Sequence, residues 1–416
     1  MIFDVFNELQ RPRPWGPDHE GQVFRDGIEQ AELADRLGYD CWWMVEHHCT
    51  PEFSYSGAPE MFNAALSQRT ERIRLGHSGV LSPFKINHPL RVAERAAMLD
   101  QLSGGRAEIA LARSGGAEWE TFGIDPASTL EELDEAFKIL VGAWTEELFE
   151  WNGEHVRIPQ RQVVPKPVQD PHPRLWQTVS TPSSFAAAGE RGVGVLATTL
   201  LSTVETIAGM LAEYDAGRAR STGPVGKVAN NQKGVFTFVH CAETTKEAIA
   251  SRASEAALWY VNAAPRIFSV PRTIWTEMIR GQPSASTDPG RAQAVSNVDQ
   301  VMVDMDPDDP HPVVRIMNRQ ALGYDLDPVE VYEALEPIDS VIIGDVDTCR
   351  RKMQKYADAG TDRLLCLMQF GNLSHERTMN SLRTVGEALI PEFASNASRL
   401  TGAGAQASEN GHRVDR

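Results

Sequence analysis

The stretch Cys41-Trp42-Trp43-Met44-Val45-Glu46-His47-His48 runs without a break from apolar residues into titratable ones. An unalternated apolar run is what a strand needs when both of its faces are buried, as in a parallel sheet covered by helices. The flanks supply those helices. Upstream, Phe24, Ile28 and Ala31 share one helical face, and Gly38 stands where a left-handed residue would cap the helix. Downstream, Pro89 opens a helix expected to bury Val92, Ala96, Leu99 and Leu102, and Gly104-Gly105 stops it.

The same alternation extends along the chain. Strands are expected at Phe3–Asn7, Cys41–Val45, Ile73–Gly76, Ala107–Leu111, Leu175–Val179, Val193–Ala197, Val235–His240 and Arg363–Met368. Strands alternating with helices in that number predict an α/β fold, a TIM-type (β/α)8 barrel with insertions. One interruption begins with a helix near Leu130–Trp144 and ends in the extended Pro165-Lys166-Pro167 and Pro171-His172-Pro173. A larger one, about 265–337, is rich in Pro, Asp and Ser and precedes the last strand, where it reads as a lid over the barrel mouth or as a solvated surface loop. Residues 1–392 are therefore expected to form a single barrel domain, and 393–416, rich in Ser, Ala, Gly and Asn, a disordered tail.

Composition narrows the function. The chain has 416 residues, 42% hydrophobic and 23% charged, with a formal net charge of -17, and no basic cluster suited to nucleic acid. Its five cysteines are scattered and form no C-x-x-C pair, so neither a disulfide framework nor a zinc site is expected. The start, Met1-Ile2-Phe3-Asp4-Val5, lacks a basic leader, and no run approaches the ~18 apolar residues of a membrane span. The expectation is a cytoplasmic protein with no membrane partner.

Reactive groups of such a barrel gather past the C-terminal ends of its strands. The second strand delivers His47 and His48 there; adjacent residues on a strand point apart, so one imidazole facing the mouth as a general base, with the other held in the wall, fits better than a shared metal. After the third strand, Gly76-His77-Ser78-Gly79-Val80 lets backbone approach a flat ligand closely. The fourth ends in Ala112-Arg113-Ser114-Gly115-Gly116, and the fifth in Ser180-Thr181-Pro182-Ser183-Ser184 followed by a helix. Arg113 can clamp a phosphate, and hydroxyls and amides at a helix start can receive one, although a surface ion pair and a plain N-cap would look the same.

At these positions the sequence resembles the bacterial luciferase-like flavin-dependent monooxygenases. The resemblance rests on Trp43-Met44-Val45-Glu46-His47-His48, Asn87-His88-Pro89-Leu90-Arg91-Val92-Ala93-Glu94-Arg95 and Leu99-Asp100-Gln101-Leu102-Ser103-Gly104-Gly105-Arg106. It continues through Phe122-Gly123-Ile124-Asp125-Pro126, Pro171-His172-Pro173-Arg174-Leu175-Trp176 and Met368-Gln369-Phe370-Gly371. It covers about 1–200 and 338–392.

The resemblance implies a homodimeric barrel that takes reduced FMN from a separate flavin reductase. With O2, the flavin would form a C4a-(hydro)peroxide that oxidises a small organic substrate. It also implies His47 as the catalytic histidine, and Ser78-Gly79 as the site of a non-proline cis peptide against the isoalloxazine ring. Arg113, Ser180, Thr181 and Ser184 would hold the phosphate. Ala112 stands where luciferase has a reactive cysteine, and 265–337 has no counterpart, so thiol-dependent behaviour and long-chain aldehyde chemistry are not expected. Two other readings stay open: a deazaflavin-dependent oxidoreductase moving hydride without O2, and a flavin-binding subunit that has lost turnover.

Overall fold

The computed structural model describes residues 1–198, 200–268, 272–280 and 305–394. The first half of the chain alternates strand and helix: β1 (Ile2–Asn7), α1 (His19–Leu37), β2 (Cys41–Met44), α2 (Pro59–Ser67), β3 (Arg74–Leu81), α3 (Pro89–Ser103) and β4 (Ala107–Ala112). Next come α4 (Gly116–Phe122), α5 (Thr129–Thr145), an antiparallel hairpin of β5 (Phe149–Asn152) and β6 (Arg157–Arg161), β7 (Leu175–Val179), α6 (Pro182–Arg191), β8 (Gly194–Thr198), α7 (Val204–Arg220) and β9 (Lys233–Ala242). The remainder holds α8 (Thr245–Ala250), α9 (Ala253–Phe268), α10 (Arg272–Ile279), α11 (Pro312–Ala321), α12 (Pro328–Leu335), β10 (Val341–Asp345), α13 (Val346–Asp358), β11 (Arg363–Leu367) and α14 (His375–Thr384).

The parallel sheet closes in the order β1-β2-β3-β4-β7-β8-β9-β11 and back to β1. These staves are the strands expected from sequence. Two features were not expected. One is the β5–β6 hairpin, inside the first interruption. The other is β10, which lies along the far end of β9 from Val341↔Phe238 to Asp345↔Ala242, where β8 no longer pairs with it.

Local chemistry explains the boundaries. Gly38 at φ 90° and Gly104 at φ 66° end α1 and α3 in the left-handed region that glycine occupies without steric cost. The buried face of α1 runs through Val23, Gly27, Gln30, Ala31 and Ala34, one residue off the expected stripe, so Phe24 stays 37% exposed. Leu102 is likewise exposed at the end of α3.

The barrel interior is not purely apolar. Asp4 accepts from Arg363 Nε at 2.8 Å and from Trp43 Nε1 at 2.9 Å, while Glu108 accepts from Trp176 Nε1 at 2.8 Å and Arg174 Nε at 2.7 Å. Trp43 and Trp176 meet edge to face at 5.5 Å. A side chain at Gly76 would overlap the Trp43 ring, so that glycine is what lets the indole fill the barrel.

Among the described parts of 265–337, α10, α11 and α12 are helices; all three pack on α9, which in turn contacts α4. Residues 281–304 of the expected lid, and the expected tail from 395 onward, lie outside the described residues. Phe393 itself is buried, 5.3 Å from Phe3.

Candidate active site

Four neighbouring staves, β2, β3, β4 and β7, carry every site residue named from the sequence. Ser78 and Gly79 lie inside β3 rather than after it, at a register irregularity between His77 and Val80, and their peptide bond is cis. A Cβ at Gly79 would come within 2.8 Å of both Ala112 Cβ and Thr178 Oγ1, so β3, β4 and β7 converge there. The β4–β7 register, Leu111↔Gln177, sets Arg113 and Thr181 on adjacent strand ends of one rim.

Arg113 donates to Thr129 Oγ1 through Nε at 3.0 Å and through Nη2 at 2.8 Å, and its carbonyl accepts the Trp119 indole N–H. Thr181 is the N-cap of α6: its hydroxyl accepts the Ser184 amide at 3.2 Å, and Ser184 Oγ accepts the amides of Thr181 at 3.0 Å and Ser180 at 3.2 Å. These hydroxyls therefore form a capping box, which is the N-cap reading of the segment.

The two histidines turn to different carboxylates. His47 Nδ1 lies 3.1 Å from Glu118 Oε1, whose carboxylate also accepts the His48 amide at 3.0 Å and the Ser114 hydroxyl at 2.6 Å. Burial pushes His47 down, but the Glu118 hydrogen bond and the charges of Glu118, Glu8 and Glu46 outweigh it and raise its pKa. Burial pushes Glu118 up, and the bond from His47 brings it below the usual carboxylate value. The arrangement favours the protonated imidazole, where the position at a strand end suggests a general base.

Glu46 supports this shell from below. It accepts His48 Nε2 at 3.1 Å, His77 Nε2 at 3.2 Å, the Leu81 amide at 3.1 Å and Asn87 Nδ2 at 2.7 Å. Although burial pushes Glu46 up, the bonds from His48, His77 and Asn87 hold it well below the carboxylate range.

The model of luciferase-like monooxygenases matches residues 9–363. The chain belongs to that family. Among the relatives of this luciferase-like protein are the oxygenase component of the flavin-dependent trigonelline monooxygenase of Acinetobacter baylyi, 30% identical over 52% of this chain and 59% of that one, and limonene 1,2-monooxygenase of Rhodococcus erythropolis, 32% identical over 41% and 43%. The chain spans little more than half the length of the first curated relatives it matches.

Its fold is shared with the oxygenating constituent of 3,6-diketocamphane monooxygenase of Pseudomonas putida in complex with FMN, at TM-score 0.67 and 18% identity over 94% of this chain and 98% of that one. It is shared too with coenzyme F420-dependent tetrahydromethanopterin reductase of Methanopyrus kandleri, at TM-score 0.64 and 18% identity over 94% and 99%. Among the described residues, no helix of this luciferase-like protein is long and apolar enough to cross a membrane.

Sequence reasoning missed Glu118, Glu8, Tyr260 and Thr178. Glu118 is a solvating residue by type, and only α4 brings it 71 positions back to His47. Thr178 Oγ1 is buried without a hydrogen-bond partner, at the point where Gly79 leaves room.

Proposed function

We propose that this protein is the oxygenase component of a two-component monooxygenase, using reduced FMN from a separate reductase, and O2, to oxidise a small organic substrate. The supporting observation is the convergence of Gly79, the unpartnered Thr178 hydroxyl and the Arg113 and Thr181 strand ends on one rim beside His47. A flat polar ring fits such a place: backbone can approach where Gly79 lacks a side chain, and a buried hydroxyl awaits a partner. Arg113 and the start of α6, with Ser180, Thr181 and Ser184, would hold the phosphate. When bound, the flavin supplies two electrons for activating O2, so that one oxygen atom enters the substrate and the other leaves as water.

The protein's own residues do the rest. Glu118 fixes the ring orientation of His47 and keeps its proton, which His47 can donate to oxygen or substrate. Apolar side chains around it, Phe53 among them, keep water from the reacting atoms. The helices of 265–337 are our candidate for the cover that completes this exclusion.

The test is product formation under 18O2 with an FMN reductase, for wild type and His47→Ala. The expected result is label in the wild-type product, and FMN binding without product in the variant. Equal turnover in both would remove His47 from the mechanism, and product without label would favour the deazaflavin reading, which the fold shared with an F420-dependent reductase keeps in play.

A further inference from the structure

Backbone pairing lapses on both sides of β3 at one place. β2 pairs with β3 as far as Met44↔His77, and toward β4 the register jumps from His77↔Ile109 to Val80↔Leu111, so Ser78 and Gly79 together stand against Ala110. A ladder interrupted in this way no longer fixes the course of the strand. The Glu46 carboxylate stands where the ladder stops. One of its oxygens, Oε2, accepts His77 Nε2 at 3.2 Å and the Leu81 amide at 3.1 Å, the residues on either side of Ser78-Gly79-Val80. The other, Oε1, accepts His48 Nε2 at 3.1 Å and Asn87 Nδ2 at 2.7 Å.

Asn87 is oriented in turn. Its side-chain oxygen accepts Arg95 Nη2 at 2.7 Å, so its NH2 faces Glu46, and that NH2 also reaches the Leu81 carbonyl at 3.2 Å. Leu81 is thus held at its N–H by Glu46 and at its C=O by Asn87. Glu46 is 5% exposed, and four donors fill its two oxygens. A neutral amide cannot take its place: the Leu81 N–H and the Asn87 NH2 are fixed donors on different oxygens, so a glutamine would set its own NH2 against one of them.

We propose that Glu46 is a positioning residue for the flat part of the ligand. By holding His77 and Leu81 it fixes the course of Ser78 and Gly79, the surface left open beside Thr178 Oγ1. Because it directly precedes His47 in the chain, it also sets the spacing between that surface and the proton donor. The identity of the flat ligand as a flavin ring rests on the function proposed above; the clamp on β3 does not.

The experiment compares wild type, Glu46→Gln and His77→Phe as full chains, with Asp4→Ala as a control for loss of stability alone. Amide hydrogen exchange is followed without flavin in a peptide covering 77–82, and Kd is then measured for FMN and for riboflavin by fluorescence quenching. In Glu46→Gln, exchange in 77–82 should rise roughly tenfold or more. Both Kd values should rise by the same factor, because the ring and not the phosphate has lost its support. His77→Phe removes one of the two bonds to Oε2 and should show the same pattern at smaller size. Asp4→Ala should lower the urea midpoint and leave both Kd values unchanged.

Unchanged exchange in 77–82 would overturn the clamp. Faster exchange with unchanged riboflavin affinity would overturn the positioning role and leave Glu46 a structural residue. Should Glu46→Gln fail to fold, the same two readings on His77→Phe decide in its place. If exchange responds while wild type binds neither flavin, the clamp stands and the function proposed above is what fails.

Discussion

Glu118 Oε1 accepts from both His47 Nδ1, at 3.1 Å, and the His48 amide, at 3.0 Å, so a single carboxylate on α4 fixes the loop that follows β2. The pair carries its own pH signature. His47, with its folded pKa raised, contributes stability that is fully present below its unfolded value of 6.5 and lost as pH rises through the folded value. Glu118, with its folded pKa lowered, contributes stability present above 4.5 and lost as pH falls through the folded value. Both contributions are complete between pH 4.5 and 6.5. Denaturation midpoints of wild type and Glu118→Gln should differ most in that window and converge on either side. The variant should also lose about 10- to 100-fold in kcat/KM at neutral pH, through loss of the His47 proton.

Gly79→Ala asks whether the convergence of three staves serves a ligand. The new methyl would lie 2.8 Å from Ala112 Cβ and Thr178 Oγ1 and 3.2 Å from the Ala112 amide nitrogen. Backbone cannot yield as a flexible side-chain tip can, so a stability loss of about 1–3 kcal/mol is expected, measured by urea unfolding. Flavin affinity, followed by fluorescence quenching, should fall by more than the stability loss accounts for.

Arg113→Met separates phosphate from ring. Methionine keeps an unbranched stem but removes the charge, together with the guanidinium that lies 5.9 Å from the Trp119 ring centre. A charge-assisted contact worth about 1.5–3 kcal/mol predicts a rise in Kd for FMN of roughly 10- to 100-fold, with riboflavin nearly unaffected. An equal loss for both ligands would place the phosphate elsewhere.

Asp4→Ala tests the barrel interior. It would leave the Arg363 guanidinium, 1% exposed, without its principal partner. Removing one member of a buried pair costs about 3–5 kcal/mol, so the urea midpoint should fall sharply while flavin binding in the folded fraction is unchanged.

These residues show what a sequence displays and what it hides. The staves were legible because runs such as Cys41–Met44 and Leu364-Leu365-Cys366-Leu367 are apolar on both faces, and the helix ends because Gly38 and Gly104 adopt the conformation only glycine takes freely. β10 was missed although Val341-Ile342-Ile343 is a buried apolar run in a strand as long as β7, β8 and β11, because eight strands already account for a closed barrel. The β5–β6 hairpin escaped because Phe-Glu-Trp-Asn and Arg-Ile-Pro-Gln-Arg expose most of their side chains and show no buried run.

At the site, strand ends pointed to His47, Gly79, Arg113 and Thr181, since position within a barrel is a sequence property. Their partners were hidden because partnership is a tertiary one. Glu118 lies on a seven-residue helix, and Tyr260 reaches Glu8 across 252 positions. The interior ion network was hidden for the same reason: Asp4 and Arg363 are 359 residues apart and meet only through barrel closure.

One rim, from β2 to β7, is expected to hold the flavin by its phosphate, and a crystal structure of the complex with FMN would show where each part of the cofactor lies. The phosphate is expected within hydrogen-bond distance of the Arg113 guanidinium and the first amides of α6, with the ring against Gly79 and Thr178 Oγ1 donating to it. Flavin density at any other place, with Thr178 Oγ1 still lacking a hydrogen bond and Arg113 still turned to Thr129, would rule this rim out as the flavin site.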